Sequence, residues 1–183
     1  LIICIYKSMH NATMYCLCLH NKDLPVIKKL GYVPVGLGND NFSGEWLRDN
    51  TLNNISTKNK YYGEYTFHYW FWKNTLPKIE DNQWVGFCAY REFWSNKKKI
   101  TVDSKVEDVV LKEIPAEWEN FDTIVGEHIY MNDLKLSKLV KHGIWSLIRN
   151  PYALFKSKRN LRFHFDMWHG NGSLDKAIDL LDE

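Results

Sequence analysis

The sequence lacks long apolar runs, an excess of charge of one sign, and internal repeats. No hydrophobic stretch approaches the roughly 20 residues that a bilayer-spanning helix needs. The 24 Lys and Arg residues face 22 Asp and Glu residues, which leaves a net charge of +2. Duplex-DNA binders draw affinity from neutralising many phosphates, so this balance excludes a dedicated protein of that class. Apolar residues make up 45% and charged residues 25% of the chain, which excludes intrinsic disorder.

Cysteine is scarce and forms no obvious framework. The four cysteines lie in apolar stretches, and the C-x-C of Cys16 and Cys18 is too short for the usual zinc knuckle. We therefore expect buried free thiols in a reducing cytoplasm. The 183 residues fit one domain, 1–183. The chain starts in a strand-like run and stops in a helical pattern, so we expect truncation at both ends.

Short apolar runs alternate with helical patterns along the chain. This alternation predicts an α/β domain with a mainly parallel sheet and flanking helices. We expect residues 1–6, 32–37 and 84–90 to be neighbouring core strands. Further strands are predicted at 15–19 and 123–126. Helices are predicted at 60–74, 133–141, 144–156 with a break at Pro151, and 173–183.

Aromatic residues are abundant, with 8 Trp, 10 Tyr and 9 Phe. They concentrate in the predicted helix 60–74, where a helical wheel places aromatic side chains on two opposite arcs. Such a helix is typical of burial between layers. We therefore expect these large side chains to be mostly buried: Tyr65, Phe67, Trp70, Trp72 and Trp84.

Two polar seams separate the aromatic arcs of this helix. Glu64 and His68 form one seam, and Thr66 and Lys73 form the other. Buried polar groups need partners because unpaired ones are costly. Either Glu64 and His68 satisfy each other, or one seam lines a ligand site.

Three motifs together resemble a known family. They read NIS-x-KN at 54–59, E-x-T-x-x-YW-x-WKN at 64–74 and WVGF-x-x-YR at 84–91. They resemble the DUF4422 family, bacterial proteins of capsule, exopolysaccharide and lipopolysaccharide clusters that are regarded as glycosyltransferases. The chain departs from the family pattern at Ala89, where His is usual, and at Glu92, where a second Arg is usual.

The resemblance implies a GT-A-like, Rossmann-like fold that is incomplete at the C-terminus. It implies sugar transfer from a nucleotide-diphosphate sugar to a polysaccharide or lipid-linked glycan acceptor in bacterial surface polysaccharide biosynthesis. Such an enzyme is expected in the cytoplasm, and a peripheral contact with the inner membrane is one of two interpretations of the stretch 141–162 given below. The residues implied to bind substrate are Asn54, Ser56, Lys58, Asn59, Glu64, Thr66, Lys73 and Tyr90.

GT-A enzymes hold the donor diphosphate through a metal on an Asp-x-Asp motif, and this chain contains no such motif. Arg91 instead follows the predicted strand 84–90. A guanidinium matches phosphate geometry without a metal, so we predict that Arg91 stabilises the leaving group. A divalent metal, Mg²⁺ or Mn²⁺, is not expected to be essential, and Glu92 is the residue that would ligate one. Alternatively, Arg91 is an exposed residue at a strand end.

The loop at 39–59 follows a predicted strand and is rich in polar side chains. We expect it to contact the donor, because open α/β sheets bind ligands beyond the carboxyl ends of their strands. The alternative is a solvated loop whose Asn and Ser side chains satisfy the local backbone.

Near the end of the chain, His164, Asp166 and His169 lie close in sequence. They could ligate a metal, supply a general base for the acceptor hydroxyl, or be structural. A helix would separate His164 from Asp166 but keep Asp166 and His169 on one face. We therefore place Asp166 and His169 with Arg91 as catalytic candidates.

The stretch 141–162 interleaves basic and apolar residues. Such a pattern fits an anionic membrane surface, and it also fits an ordinary amphipathic helix with a solvated basic face.

Two other functions compete with the transferase. One is a non-catalytic carbohydrate-binding module that stacks sugars on aromatic rings. The other is a single-stranded nucleic-acid binder, which the balanced charge disfavours, so no nucleic-acid partner is expected.

Overall fold

The computed structural model describes residues 12–80, 83–95, 101, 103–127, 130 and 135–180. The chain, predicted above to be a single domain, divides into two compact units, Leu1–Gly126 and Glu127–Glu183. The strand predicted at 1–6 lies outside the described residues. Each unit is treated by itself below.

The first unit contains a four-stranded parallel sheet, which confirms the predicted α/β, Rossmann-like class. Its strands are β1 (Ala12–Cys18), β2 (Val33–Gly36), β3 (Leu47–Arg48) and β4 (Trp84–Ala89). The strand order is β3-β2-β1-β4, with every pair parallel. The chain therefore moves outward from β1 to β3 and then returns to the opposite side of β1.

Helices of the first unit connect and cover these strands. They are α1 (Leu24–Lys29), α2 (Asn59–Tyr62), α3 (Tyr65–Asn74) and α4 (Val106–Val109). Short 3-10 turns lie at Asn21–Asp23, Ser56–Lys58, Leu76–Lys78 and Ala116–Trp118.

The side chains of β1 alternate between two cores, one on each face of the sheet. Met14, Cys16 and Cys18 face a core that contains Ile27 of α1. Tyr15 and Leu17 face a second core, which α3 completes with Phe67, Trp70 and Phe71. A strand buried on both faces reads as a continuous apolar run, which is why β1 and β4 were recognisable in the sequence.

Two strand predictions need correction. Residues 32–37 and 84–90 do form strands, but they are not neighbours, because β1 pairs with both. The central strand is thus the run around residues 15–19, and apolar content alone could not rank it. Residues 123–126 form no strand, and only Val125 takes part in an isolated bridge.

The described cysteines agree with the prediction of buried free thiols, and Cys4 lies outside the described residues. Cys16, Cys18 and Cys88 are free and buried. The hydrogen bond to Cys16 and burial raise the pKa of the Cys18 thiol. The Cys18 thiol therefore stays protonated at neutral pH.

The predicted helix 60–74 is two helices, and only one of its faces is buried. Gly63 has φ +54° and ψ −129°, a conformation that favours glycine, and it ends α2. Phe67, Trp70 and Trp84 are buried as predicted. The burial prediction is wrong for Tyr65 and Trp72, which are 67% and 54% exposed. A helical wheel counts aromatic rings as apolar, but among the described residues of the first unit no layer covers the outer arc of α3.

The second unit is helical. It contains α5 (Leu136–Arg149), α6 (Leu161–His169) and α7 (Ser173–Asp179), with 3-10 turns at Pro151–Leu154 and Lys156–Lys158. Its core is small and consists of Leu139, Leu147, Ala153, Phe163 and Met167.

The helix predictions for this unit are partly wrong. The helices expected at 133–141 and 144–156 are one helix, α5, which is kinked at Gly143 and ends before Pro151. A Cβ at Gly143 would lie 2.8 Å from Met167, so the glycine lets α5 approach α6 closely.

Candidate functional site

A cleft of about 620 Å³ opens where the carboxyl ends of β1 and β4 meet. Loops leave these adjacent strands on either side of the point where the strand order reverses. In open α/β sheets a ligand crevice forms at this point. The residues that line it are Leu17, Cys18, Leu19, Leu37, Lys60, Tyr61, Tyr62, Gly63, Glu64, Ala89, Tyr90, Arg91 and Glu92.

The turn after β4 presents Arg91 to this cleft. The Tyr90 backbone N–H donates to Leu17 O at 3.1 Å, and the Glu92 N–H donates to Ala89 O at 3.0 Å. These bonds fix the turn to both strands. The Arg91 guanidinium lies over the Tyr90 ring, 4.9 Å from its centroid, and the side chain is exposed. Within the described parts of the chain, no carboxylate forms an ion pair with Arg91. Its donors are therefore available to an anion.

The opposite wall of the cleft is α2 and the turn after it. It brings Lys60 and Glu64 to a cleft that already holds Arg91 and Glu92, so the formal charges balance. Of the two interpretations of the polar seam, the mutual pairing does not occur, since Glu64 and His68 form no side-chain ion pair in the structure, whereas Glu64 does line the cleft. The His68 ring instead packs edge-on against Phe87, with centroids 4.8 Å apart. Burial lowers the pKa of His68, which keeps the ring neutral at pH 7.

Side-chain hydrogen bonds fix the turn at Gly63, which separates α2 from α3. The Asn59 amide donates to Gly63 O at 2.9 Å and to Thr66 Oγ1 at 3.2 Å. Thr66 Oγ1 itself donates to Gly63 O at 3.0 Å, and Thr66 is fully buried. Asn59 and Thr66, both predicted to bind substrate, thus shape the cleft through Gly63 and do not line it.

A second set of side-chain hydrogen bonds attaches the loop 51–56 to α3. The Trp70 indole N–H donates to Thr51 O at 2.9 Å. The Asn74 amide donates to Asn53 O at 2.8 Å and accepts from the Asn53 N–H. The motif residues Trp70 and Asn74 therefore hold the loop in place.

Within that loop, Asn54 and Ser56 satisfy the local backbone. Asn54 Oδ1 accepts from Ser56 N–H at 3.2 Å and from Ser56 Oγ at 2.9 Å. The Asn54 amide donates to Leu52 O at 2.9 Å. This geometry agrees with the alternative interpretation of the loop as a self-satisfied turn.

A second cleft, of about 540 Å³, lies beside this loop. It is lined by Gly38, Asn39, Asp40, Asn41, Phe42, Arg48, Asn50, Ser56 and Thr57. The Arg48 guanidinium stacks on Phe42, and its Nη2 donates to Gly38 O at 2.7 Å. Backbone N–H groups of Asn21 and Asn41 lower the pKa of Asp40.

The predicted substrate-binding residues thus fall into three groups. Glu64 and Tyr90 line the first cleft, and Ser56 lines the second. Lys58 and Lys73 are exposed elsewhere, with Lys73 Nζ 3.4 Å from the Trp72 ring centroid. The remaining three, Asn54, Asn59 and Thr66, make the structural hydrogen bonds described above.

The sequence analysis missed Lys60, Tyr61 and Tyr62 as cleft residues because it placed them inside one continuous helix. The signal was Gly63, which interrupts the helical pattern beside them.

The other two catalytic candidates belong to the second unit. Asp166 Oδ1 accepts from the Gly172 N–H at 3.1 Å, which ties the end of α6 to the start of α7. The His169 ring is exposed and packs on Phe165 with centroids 4.4 Å apart. Among the residues that the structure describes, no group of three His, Cys, Asp or Glu side chains could hold a metal ion. The metal interpretation of His164, Asp166 and His169 therefore has no support.

The fold is an α/β protein of Rossmann-like topology with a cleft at the point where the strand order reverses. Residues 14–177 match the family described as a domain of unknown function, DUF4422, and the chain belongs to that family. This confirms the resemblance seen in the sequence. No curated protein and no solved structure matches the chain. No helix in the described part of the chain is long and apolar enough to cross a membrane.

Proposed function

We propose that this protein is a glycosyltransferase that takes its sugar from a nucleoside diphosphate donor bound in the first cleft. The observation that carries the proposal is the position of Arg91. It stands at the carboxyl end of β4, beside the end of β1, where parallel α/β sheets bind nucleotides. The cleft volume of about 620 Å³ lies within the range of about 300–1,000 Å³ typical of small-molecule sites.

The chemistry asked of Arg91 is neutralisation of the departing diphosphate. As the bond between the anomeric carbon of the sugar and the diphosphate oxygen breaks, negative charge grows on the phosphate oxygens. A fixed guanidinium, already stacked on Tyr90, stabilises that charge without reorganising. Its planar fork makes two parallel hydrogen bonds to phosphate, which an ammonium cannot do. Glu92, the next residue, remains the alternative contact through a divalent metal.

The acceptor hydroxyl must lose its proton as it attacks the anomeric carbon. Asp166 and His169 are the proposed sources of a general base, since carboxylate and imidazole are the usual choices. The acceptor is proposed to be a polysaccharide or a lipid-linked glycan of bacterial surface polysaccharide assembly. Substitution of either residue should lower turnover and leave donor binding intact.

Donor binding by Arg91 variants tests the proposal. Calorimetric titration with UDP, GDP and their sugar conjugates should show binding to the unmodified chain, with or without EDTA. Arg91→Lys should weaken binding about tenfold or more, since hydrogen bonds to charged groups are worth about 1.5–3 kcal/mol. Arg149→Lys, a matched change at an exposed arginine of the second unit, should leave donor affinity unchanged.

Two outcomes would contradict this assignment. If EDTA abolishes binding and Arg91→Ala leaves it intact, a metal on Glu92 holds the diphosphate. If no nucleotide binds under any condition, the protein is not a sugar-nucleotide transferase.

A second candidate function rests on the exposed aromatic face of α3. Tyr65 and Trp72 are exposed there, as stacking partners for sugar rings would be. This favours a carbohydrate-binding module as the alternative. The two functions separate by donor, because only the transferase should bind a nucleoside diphosphate sugar.

A further inference from the structure

Basic charge is concentrated in one part of the second unit. Residues 134–165 contain eight Lys and Arg and no Asp or Glu. The whole chain carries a net charge of +2, so the residues outside this segment together carry −6. The near-neutral net charge of the chain is thus the sum of a strongly cationic segment, 134–165, and an anionic rest of the chain.

The same segment exposes large apolar side chains. Trp145 is 72% exposed, Ile148 64%, Tyr152 70% and Phe155 66%. Among the described residues of this unit, the core cluster contains five residues, one of which is alanine. The described part of the second unit therefore presents more large apolar side chains to solvent than it buries. Contiguous exposed apolar surface of this kind indicates an interaction site.

The kink and the ends of α5 explain this exposure. Leu139 and Leu147 face the core, and Gly143 brings α5 against Met167 of α6. Val140 and Ile144 lie on the other side of the helix and are exposed. The 3-10 turn at Pro151–Leu154 then buries only Ala153.

Exposed cations flank these apolar side chains. Three of them, Lys138, Lys141 and Arg149, lie on α5. Lys158 lies in the 3-10 turn Lys156–Lys158. We call the basic apolar surface the one formed by Lys138, Val140, Lys141, Ile144, Trp145, Ile148, Arg149, Tyr152, Phe155 and Lys158. Arg162 is not included, because it pairs with Asp175.

We propose that the basic apolar surface binds an anionic lipid bilayer and lies along it. Lysine and arginine are attracted to anionic headgroups, while Trp and Tyr place their amphipathic rings at headgroup level. Aliphatic side chains such as Ile144 and Ile148 insert among the acyl chains. The partner is the lipid surface itself, so the inference does not depend on which sugar the protein transfers.

The composition of the surface favours lipid over the other anionic partners. A single-stranded nucleic acid needs aromatic platforms and a basic groove, and it makes no use of the aliphatic residues. The centre of a protein–protein interface is depleted in lysine, whereas here Lys138 and Lys141 border the apolar residues.

Vesicle co-sedimentation of the full chain tests the proposal. The protein should bind vesicles of phosphatidylcholine mixed with phosphatidylglycerol, and binding should fall when salt is raised or phosphatidylglycerol is left out. The double variant K138E/K141E should bind at least about tenfold more weakly, because two attractive charges become repulsive. Trp145→Ala should also weaken binding. K112E and W72A, matched changes at exposed positions of the first unit, should not.

Three results would overturn the proposal. The first is an absence of binding to the anionic vesicles. The second is binding that K138E/K141E and W145A leave unchanged while circular dichroism shows all variants folded. The third is binding of a single-stranded oligonucleotide in preference to vesicles, which would identify a nucleic-acid surface. No nucleotide sugar enters the assay, so failure here is distinct from failure of the transferase proposal.

Discussion

The two units differ in the share of their aromatic side chains that they bury. In the first unit, Phe67 and Phe71 of α3 pack on Tyr15 of the buried sheet, with ring centroids 5.7 Å and 5.2 Å from the Tyr15 centroid. The second unit leaves Trp145 and Tyr152 exposed to solvent, and the core cluster of its described residues is small. Aromatic content is therefore no guide to burial by itself. A ring is buried where a sheet offers a second layer, and it stays at the surface where short helices have none.

Matched tryptophan substitutions give the strongest test of this difference. Trp70→Ala in the first unit should destabilise the fold by about 3–5 kcal/mol, the usual cost of truncating a buried large aromatic. Trp145→Ala in the second unit should change stability by less than about 0.5 kcal/mol, as exposed substitutions usually do. Urea unfolding monitored by circular dichroism measures both. Equal losses would mean that the two rings are equally buried in solution.

A pH titration sharpens the comparison through the histidines. Burial in the first unit lowers the pKa of His68 below its unfolded value. The unfolded chain then binds more protons, so folding stability should decline as pH falls below about 6.5, the ordinary histidine pKa. His68→Phe should reduce that decline between pH 7 and pH 5, as read from melting temperatures. A decline that His68→Phe leaves unchanged would contradict this assignment to His68.

The smallest effect on folding stability is expected at Leu52, in the loop 51–56 that hydrogen bonds attach to α3. Leu52 has a positive φ of 50° and an exposed side chain. A residue with a Cβ pays about 1 kcal/mol or more in this conformation, and glycine does not. Leu52→Gly should therefore stabilise the protein by about 0.5–1 kcal/mol. A loss of stability would show that the Leu52 side chain makes contacts that the exposed position does not indicate.

The sequence placed β3 (Leu47–Arg48) in a loop and predicted a strand at 123–126 that does not form. It predicted β2 and β4 because buried parallel strands are continuous apolar runs. It predicted the position of Arg91 after β4 for the same reason. It could not predict the roles of Asn59 and Asn74, because their partners depend on Gly63 ending α2 and on contacts 21 residues apart. A motif shows which residues matter, but not whether they touch a ligand or hold the chain that does.

The outer arc of α3 shows a different limit. The periodicity of the helix was readable, and Phe67 and Trp70 are buried as expected. Tyr65 and Trp72 occupy the other arc, and only the arrangement of layers decides whether that arc is covered. Neighbouring positions in a helical wheel carry no information about the number of layers.

The turn at Gly63 also bears on how the cleft can open. One wall consists of α2, a single helical turn whose residues Lys60, Tyr61 and Tyr62 are exposed. It is fastened through Asn59, whereas α3 behind it is anchored by a buried aromatic core. Local opening of α2 therefore breaks a few hydrogen bonds and exposes little apolar surface, while α3 and the sheet stay folded. The helix α2 therefore has a lower local stability than α3 and the sheet. A ligand could enter or leave the cleft by local opening of α2, while the rest of the first unit stays folded.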